Sequence, residues 1–410
     1  MPSKAPYTGP ALISYGFRPF FFLATLFALL AIPVWLLVWR GTFTLGGPFS
    51  PIDWHIHEML FGYAAAVIAG FLFTAVPNWT GRLPVRGWPL GLLAILWLSG
   101  RIAVAGGFGL PAEGVMVLDC AFLLVVTLAI GMEIMAGRNW RNLRVLVPVS
   151  LLWAANVIFH QEAMRSSAAD LGVRLGFAVV VFLLTLIGGR IIPSFTRNWL
   201  TRRDASRLPA PFGRVDRIAL IAGASALLIW VAAPVSVFAK LLLALAAVLH
   251  SLRLARWKGE ATWPSPLLLM LHVSYAFAPA GLLALAMADT PAMGLHLLGI
   301  GAIGGMTVAV MIRATRGHTG RSLVAGRDLT FAYSLIVLAA LIRTFLPNVV
   351  IAGLDGILLS GLMWTAGFAL IVVRIVPWLA LPPDGRKTPG QPKRPQGPGA
   401  GASFPDPKSG

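Results

Sequence analysis

The sequence predicts an all-α, polytopic integral membrane protein with about twelve transmembrane helices. Its 410 residues are 57% hydrophobic and only 12% charged, whereas a soluble domain carries about a quarter charged residues. The mean hydropathy is +0.80. Apolar stretches of about 18 residues or more recur along most of the chain, and each is long enough to cross a bilayer core about 30 Å thick. The lipid bilayer is therefore the first expected partner.

Each transmembrane element is predicted from one such stretch, and the segments are numbered 1 to 12 in chain order. They span 17–39, 56–77, 88–106, 114–136, 144–163, 173–193, 217–238, 240–257, 264–288, 292–313, 329–347 and 350–378. Residues 1–16 form a cytoplasmic leader, and no cleavable signal peptide is expected. Residues 17–381 form the transmembrane domain. Residues 382–410, rich in Pro, Gly, Lys and Arg, are expected to be a disordered cytoplasmic tail.

The net charge of +18 is explained by membrane topology, and no nucleic-acid partner is expected. Basic residues concentrate at the connections that follow even-numbered segments: Arg82, Arg86, Arg138, Arg141, Arg144, Arg197, Arg202, Arg203, Arg207, Arg214, Arg217, Arg253, Arg256, Lys258, Arg313, Arg316, Arg321 and Arg327. The other connections carry Arg40, Arg101, Arg165, Arg174 and Lys240. The positive-inside rule then places the even connections and both termini in the cytoplasm.

This topology sorts the histidines into two groups by depth. The outer group is His55, His57, His160 and His296, and the inner group is His250, His272 and His318. Imidazole suits iron, copper and zinc, and a ligating histidine needs a partner for its second ring nitrogen. Asp53, Glu58 and Glu162 are candidate partners in the outer group. The alternative is that interfacial histidines bond water or lipid headgroups.

The stretch WHIHEMLFGY, residues 54–63, constrains the outer group. Residues two apart on a helix differ by about 200°, so His55 and His57 cannot both face one metal. Either the two histidines serve different partners, or His55 precedes the helix and Asp53 is its N-cap. His57 would share an apolar face with Leu60 and Phe61, a setting that suits a flat macrocycle.

Glycines follow the histidine of segment 10, at Gly299, Gly301, Gly304 and Gly305. They allow either close helix packing or the approach of a porphyrin plane. The similar endings of segments 2, 6 and 10, around Thr80, Thr196 and Thr315, suggest three four-helix units. There is no nucleotide-binding GxxxxGK[ST] loop, CxxC or HExxH motif, so ATP-driven transport, covalently bound haem and zinc proteolysis have no support.

Several long blocks resemble the NnrS family: GFRPFFFLA (16–24), WHIHEMLFGYAAAVIAGFLFTAVPNWTGR (54–82), GGRIIPSFTRN (188–198), LHVSYAF (271–277) and LHLLGIGAIGGMTVAVMIRATRGHTGR (295–321). This resemblance implies a bacterial inner-membrane protein that binds haem and copper. It also implies a role in nitric oxide metabolism, in denitrification and in tolerance of nitrosative stress. The electron donor stays open.

These arguments together assign the cofactors to histidines. Haem is expected at His57 and His296, with His55 and His160 as further candidates for the outer site. Copper is expected at His250, His272 and His318, with His55 and His160 as competing candidates for it. Twelve helices with histidines on segments 2 and 10 also resemble the catalytic subunits of haem–copper oxidases and nitric oxide reductases in architecture, which suggests an oxidoreductase acting on nitric oxide. The alternative is a transporter or channel for a small nitrogen oxide or a metal ion, with histidines lining the path.

We predict that reporter fusions after Arg214 and after Ala288 report opposite sides of the membrane, with the first cytoplasmic. Arg214 ends a connection rich in basic residues, whereas Ala288 ends segment 9, which runs outward. Paired alkaline phosphatase and green fluorescent protein fusions measure this. If both positions reported the same side, the predicted number of helices between them would be wrong.

Overall fold

The computed structural model describes residues 7–166 and 169–382, which fold into a bundle of twelve long helices. The helices are α1 Phe17–Trp39, α2 Pro51–Thr80, α3 Trp88–Val104, α4 Ala112–Ala136, α5 Leu146–Ser166, α6 Asp170–Thr201, α7 Arg214–Ala232, α8 Val237–Ala255, α9 Pro266–Met287, α10 Ala292–His318, α11 Gly326–Phe345 and α12 Gly356–Ala380. Eleven are long and apolar enough to cross a membrane, and α3 is a shorter apolar helix. The predicted all-α membrane fold is confirmed. Residues 1–6 of the predicted leader and 383–410 of the predicted tail lie outside the described residues.

The first and last helices pack side by side, so the bundle closes on itself. Helix α1 contacts both α2 and α12. The buried guanidinium of Arg18 donates hydrogen bonds from Nη1 to the carbonyl oxygens of Leu379 (2.8 Å) and Leu381 (2.9 Å). Carbonyls at a helix C-terminus have no partner within the helix. Arg18 therefore caps α12 and fixes it to the start of α1.

Helices α2, α6 and α10 occupy the centre and run parallel. Side chains from all three line a row of cavities, and the residue numbers on each helix rise together from one cavity to the next. We call the end where α2 and α10 begin the histidine end, and the end where α2, α6 and α10 finish the arginine end. The similar sequence endings around Thr80, Thr196 and Thr315 belong to these three helices. Each of the three suggested four-helix units would therefore contribute one central helix.

Two of the central helices contain a π-helical segment. The segments are Glu58–Ala64 in α2 and Leu297–Gly304 in α10, and each begins directly after a histidine, His57 or His296. A π-helical turn shifts the direction in which the following side chains point, and such turns are frequent at functional sites. The carbonyl oxygen of Gly62 in the α2 segment accepts a hydrogen bond from the indole of Trp97 at 3.1 Å.

A short antiparallel hairpin, Val350–Ile351 with Leu354–Asp355, leads into α12. The Asp355 carboxylate caps the helix by accepting the backbone N–H of Leu358 at 2.8 Å and also pairs with Arg40. The hydrogen bond from Leu358 and the nearby guanidinium lower the pKa of the Asp355 carboxyl. This N-cap therefore stays ionised at neutral pH, as the positive end of the α12 dipole favours.

A buried ion pair joins the peripheral helices α7 and α8 to the centre. Arg253 is fully buried; its Nε donates to the Asp216 carboxylate at 2.9 Å and its Nη1 donates to the Thr185 carbonyl at 2.8 Å. Its side chain lies so close to Gly189 of α6 that an added Cβ would be 1.9 Å from the guanidinium. The absence of a side chain at Gly189 therefore lets this pair form against α6.

We predict that Asp216→Ala strongly destabilises the protein, by about 3–5 kcal/mol, because it leaves the Arg253 charge buried without a partner. Thermal unfolding of the purified protein in one detergent measures the loss. Arg256→Ala is the matched control, since Arg256 contacts the same carboxylate at 3.4 Å from a partly exposed position and such pairs contribute about 0–1 kcal/mol. Equal effects of the two substitutions would contradict a dominant role for the buried pair.

Candidate functional site

Helix α2 presents its two histidines to different sides. It begins at Pro51, and the Ser50 hydroxyl caps it by accepting the Asp53 N–H at 3.2 Å. Asp53 is thus a first-turn residue and not the N-cap, and both His55 and His57 lie within the helix. Of the two alternatives drawn from the sequence, the structure adopts the one in which the histidines serve different partners.

On one side of α2, His57 is completely buried in a polar cluster. Its Nδ1 lies 2.9 Å from the Glu58 carboxylate. Its Nε2 lies 2.9 Å from Asn156 Oδ1 and 3.1 Å from Asp119 Oδ2. Phe49 and Phe159 pack against the ring, with centroids 4.8 and 5.2 Å away, and they close the cluster with apolar surface.

His160 enters the same cluster from α5. Its Nε2 lies 3.0 Å from Asp119 Oδ2, the same oxygen that faces His57. The Asn156 amide donates to that oxygen at 2.8 Å, which directs the Asn156 carbonyl towards His57. Residues 156 and 160 are one helical turn apart and so share a face of α5. The arrangement directs three side chains at a single carboxylate oxygen.

Arg101 of α3 completes the cluster. Its guanidinium pairs with both the Glu58 and the Asp119 carboxylates, and all three side chains are buried. Two carboxylates and one guanidinium leave a net charge of −1 when both imidazoles are neutral. An uncompensated buried charge is costly. One further positive charge, supplied by a bound metal ion or by a proton on one of these side chains, would neutralise the cluster.

The hydrogen-bonding capacity of His57 supports the same conclusion. A neutral imidazole carries one N–H, yet acceptor oxygens lie against both of its nitrogens. When Nδ1 donates to Glu58, the Nε2 lone pair faces oxygen atoms, a contact that a cation between them makes favourable. The donor atoms of His57, Asp119 and His160 lie within 4.8 Å of one another. Among the described residues, these three form the group that could hold a metal ion.

On the other side of α2, His55 faces an apolar cavity of about 980 Å³. His296 of α10 lines the same cavity. Residues from six helices complete the wall: Ile32, Trp35, Ile56, Met59, Leu60, Tyr63, Phe177, Leu295, Gly299, Ile300, Ile303, Arg343, Ile357, Ser360, Gly361 and Trp364. The mostly apolar lining with a few polar side chains is typical of cofactor pockets.

The two histidines of the cavity differ in how they are held. His296 Nδ1 donates to the carbonyl oxygen of Ala292 at 2.6 Å, which leaves the Nε2 lone pair available as a ligand. The His55 ring stacks on Trp35, with centroids 4.3 Å apart, and its Nδ1 is buried without a hydrogen-bond partner. An unpartnered buried nitrogen on one wall and a held imidazole on another fit a metal-centred planar cofactor.

The glycines of α10 divide between the two roles left open by the sequence. A Cβ on Gly301 would be 2.3 Å from the Phe277 ring, and one on Gly304 would be 2.8 Å from Trp364. These glycines serve close helix packing. A Cβ on Gly299 would meet nothing closer than the Phe177 ring at 3.7 Å. Gly299 lines the cavity, so its small size provides room there.

The remaining histidines lie elsewhere. His250 bonds the Tyr275 hydroxyl through Nδ1 at 2.8 Å, and His272 bonds the Thr196 hydroxyl through Nε2 at 2.9 Å. His318 stacks between Tyr15 and Phe17, with centroids 5.4 and 5.3 Å away. The three do not form a group of converging donors in the described part of the chain. His57 and His296, paired by the sequence argument, face different sites.

Sequence reasoning missed Asp119 and Asn156, and it counted Arg101 among the connection residues. Arg101 lies within α3, buried against the cluster. The sequence did hold a signal, because an ionisable residue inside a transmembrane segment is a functional candidate by default. Asp119 is such a residue in the middle of an apolar run. Glu58 was correctly named as a partner for an outer histidine, whereas Glu162 caps the start of α6 through the Gly172 N–H at 2.8 Å.

Comparison with protein families identifies the chain. The sequence model of one family, described as NnrS protein, matches residues 11–382. The chain belongs to the NnrS family. No curated protein sequence matches it. The match covers all twelve helices and both histidine sites, and membership of the family supports a role related to nitric oxide.

Proposed function

We propose that this NnrS-family protein binds haem and copper in the membrane and acts in nitric oxide metabolism and resistance to nitrosative stress. The observation that carries the proposal is the pair of separate histidine sites on opposite sides of α2. One is an apolar cavity with two histidines, and the other is a charged cluster with two histidines and a carboxylate. Their chemistry suits two different cofactors.

Haem fits the apolar cavity best. A porphyrin needs an apolar slot, axial histidines and room for its plane, which His55, His296 and Gly299 offer. Arg343 on the cavity wall supplies a cation for a propionate. A haem iron binds nitric oxide at an open axial position and carries electrons when both positions are filled.

The two histidines are not equivalent as ligands. A hydrogen bond from the second ring nitrogen fixes the tautomer and increases ligand basicity. His296 has that bond, to the Ala292 carbonyl, whereas His55 Nδ1 has no partner. His296 would accordingly hold a haem iron more strongly than His55, and the side of His55 would be the one open to a gas molecule.

Copper fits the charged cluster. Imidazole nitrogens and a carboxylate oxygen bind divalent transition metals, and a bound cation would balance the net negative charge that ionised Glu58 and Asp119 leave beside Arg101. Glu58 is placed to accept the Nδ1–H of His57, which orients Nε2 as a ligand. The same donor set also suits iron(II), so metal analysis decides the ion; copper is the expectation that follows from the family resemblance.

A route for the gas adjoins the haem cavity. A second cavity of about 670 Å³ lies between α2, α6 and α10 and shares Ile303 with the first. Its lining is apolar apart from Thr307, whose hydroxyl is bonded to Tyr63 at 2.7 Å. Such a lining suits a small uncharged molecule such as nitric oxide. It offers little to an ion, which favours the haem–copper function over transport of a metal ion.

We predict that substitutions separate the two cofactors. His296→Ala should remove most of the haem, and His55→Ala a smaller share, while copper stays. His57→Ala, His160→Ala and Asp119→Asn should remove copper while haem stays. Pyridine haemochrome spectra measure the haem, and plasma mass spectrometry measures the metal per chain.

Each set of variants is the folding control for the other. His250→Ala, His272→Ala and His318→Ala test the assignment of copper to the inner histidines. Copper lost in these variants and kept in His57→Ala would overturn the assignment to the charged cluster. Haem content unchanged in both His55→Ala and His296→Ala would overturn the haem site.

We also predict that nitric oxide added to the ferrous protein shifts the haem absorption bands, because the His55 side accepts a gas ligand. His55→Ala should bind nitric oxide at least as readily as the unaltered chain. No shift in the unaltered chain together with a shift in His55→Ala would instead indicate an electron carrier whose two axial positions are filled by the histidines. No shift in either protein would contradict nitric oxide binding at this haem.

A further inference from the structure

A fourth cavity, of about 1,100 Å³, opens at the arginine end of the bundle, far from both histidine sites. It lies between the last turns of α6, the start of α9 and the last part of α10. Three arginines line it: Arg202, Arg203 and Arg313. Among the described residues, no acidic side chain lines this cavity. We propose that this cavity, the arginine pocket, is a binding site for an oxyanion, either a free inorganic anion or the phosphate of a lipid headgroup.

The unusual feature of the pocket is how Arg313 is held. Other buried arginines of this fold have oxygen partners: Arg101 pairs with Glu58 and Asp119, and Arg253 pairs with Asp216. Arg313 is half-buried, and its guanidinium packs on the face of Phe195, 3.8 Å from the ring centroid. That contact leaves the edge of the guanidinium, with its N–H donors, free to bind a ligand. A planar guanidinium binds oxyanions through two parallel hydrogen bonds.

The two other arginines stand at the rim. Both are exposed, and Arg203 packs over the Trp199 ring at 4.0 Å. No carboxylate pairs with either in the described residues. Three guanidinium charges near one cavity repel one another unless an anion lies between them. The pocket therefore combines a half-buried cation with two cations at its mouth.

The start of α9 adds positive electrostatic potential to the arginine pocket. Ser265, Pro266 and Leu267, the N-cap and first residues of this helix, line the pocket, and the Ser265 side chain makes no capping hydrogen bond. The N-terminus of a helix carries a partial positive charge and favours anions. The Ser265 hydroxyl and the Asn198 amide add neutral donors. Positive charge from three arginines and one helix N-terminus thus converges on one cavity.

The test uses the full-length protein in nanodiscs and monitors thermal unfolding. In one arm the nanodiscs contain only zwitterionic phosphatidylcholine, and nitrite, nitrate or phosphate is titrated in. In the other arm phosphatidylglycerol replaces part of the lipid and no anion is added. A ligand that binds the folded state raises the unfolding temperature, so the arm that responds identifies the source of the oxyanion.

Arg313→Gln should weaken binding of the ligand that stabilises the unaltered chain by about tenfold or more, because a charge-assisted contact is lost. Arg316→Gln is the matched control, one turn further along α10, where the guanidinium bonds the Ser322 carbonyl at 2.6 Å; it should leave affinity unchanged. If Arg313→Gln fails to fold, the exposed Arg202→Gln decides in its place. No stabilisation in either arm, or equal stabilisation of the unaltered chain and the arginine variant, would overturn the site.

Discussion

The burial of charge where α2, α3, α4 and α5 meet is the constraint on which the histidine end depends. Arg101, Glu58 and Asp119 lie in a region that lipid and apolar side chains otherwise fill. Each would be costly alone. Together they hold one another, and they hold His57 and His160 in fixed orientations. The position of α3 against α2 and α4 follows from this network, since Arg101 connects the three helices.

Two different sites share helix α2, and a π-helical segment follows directly after their histidines. Regular α-helical geometry already separates His55 from His57 by about 200°. The π-helical turn that follows allows α2 to keep both sides buried while Tyr63 turns towards α10, where its hydroxyl meets Thr307 at 2.7 Å. A matching segment in α10 follows His296. Helices α2 and α10 therefore both change their helical periodicity beside the apolar cavity.

Polar groups are concentrated at the two ends of the bundle and are scarce at its centre. The histidine end contains the cavity and the charged cluster, the centre is apolar, and the arginine end gathers cations. An uncharged gas can enter the apolar centre, whereas an ion is excluded from it by the cost of desolvation. The proposed chemistry on a gas at one end and the proposed binding of an anion at the other are compatible with this distribution.

The membrane class, the twelve helices and the family resemblance could all be predicted from the sequence, because apolar length and motif blocks are local properties of the chain. The sequence also predicted that His55 and His57 cannot share a metal, because helical geometry fixes the angle between them. The partner that each histidine meets became visible only in the folded bundle. Asp119 and Asn156 come to His57 from α4 and α5, 62 and 99 residues away, and His296 comes to the His55 cavity from α10. Such contacts depend on how helices pack against one another, and packing direction is not encoded in the spacing of residues within any one helix.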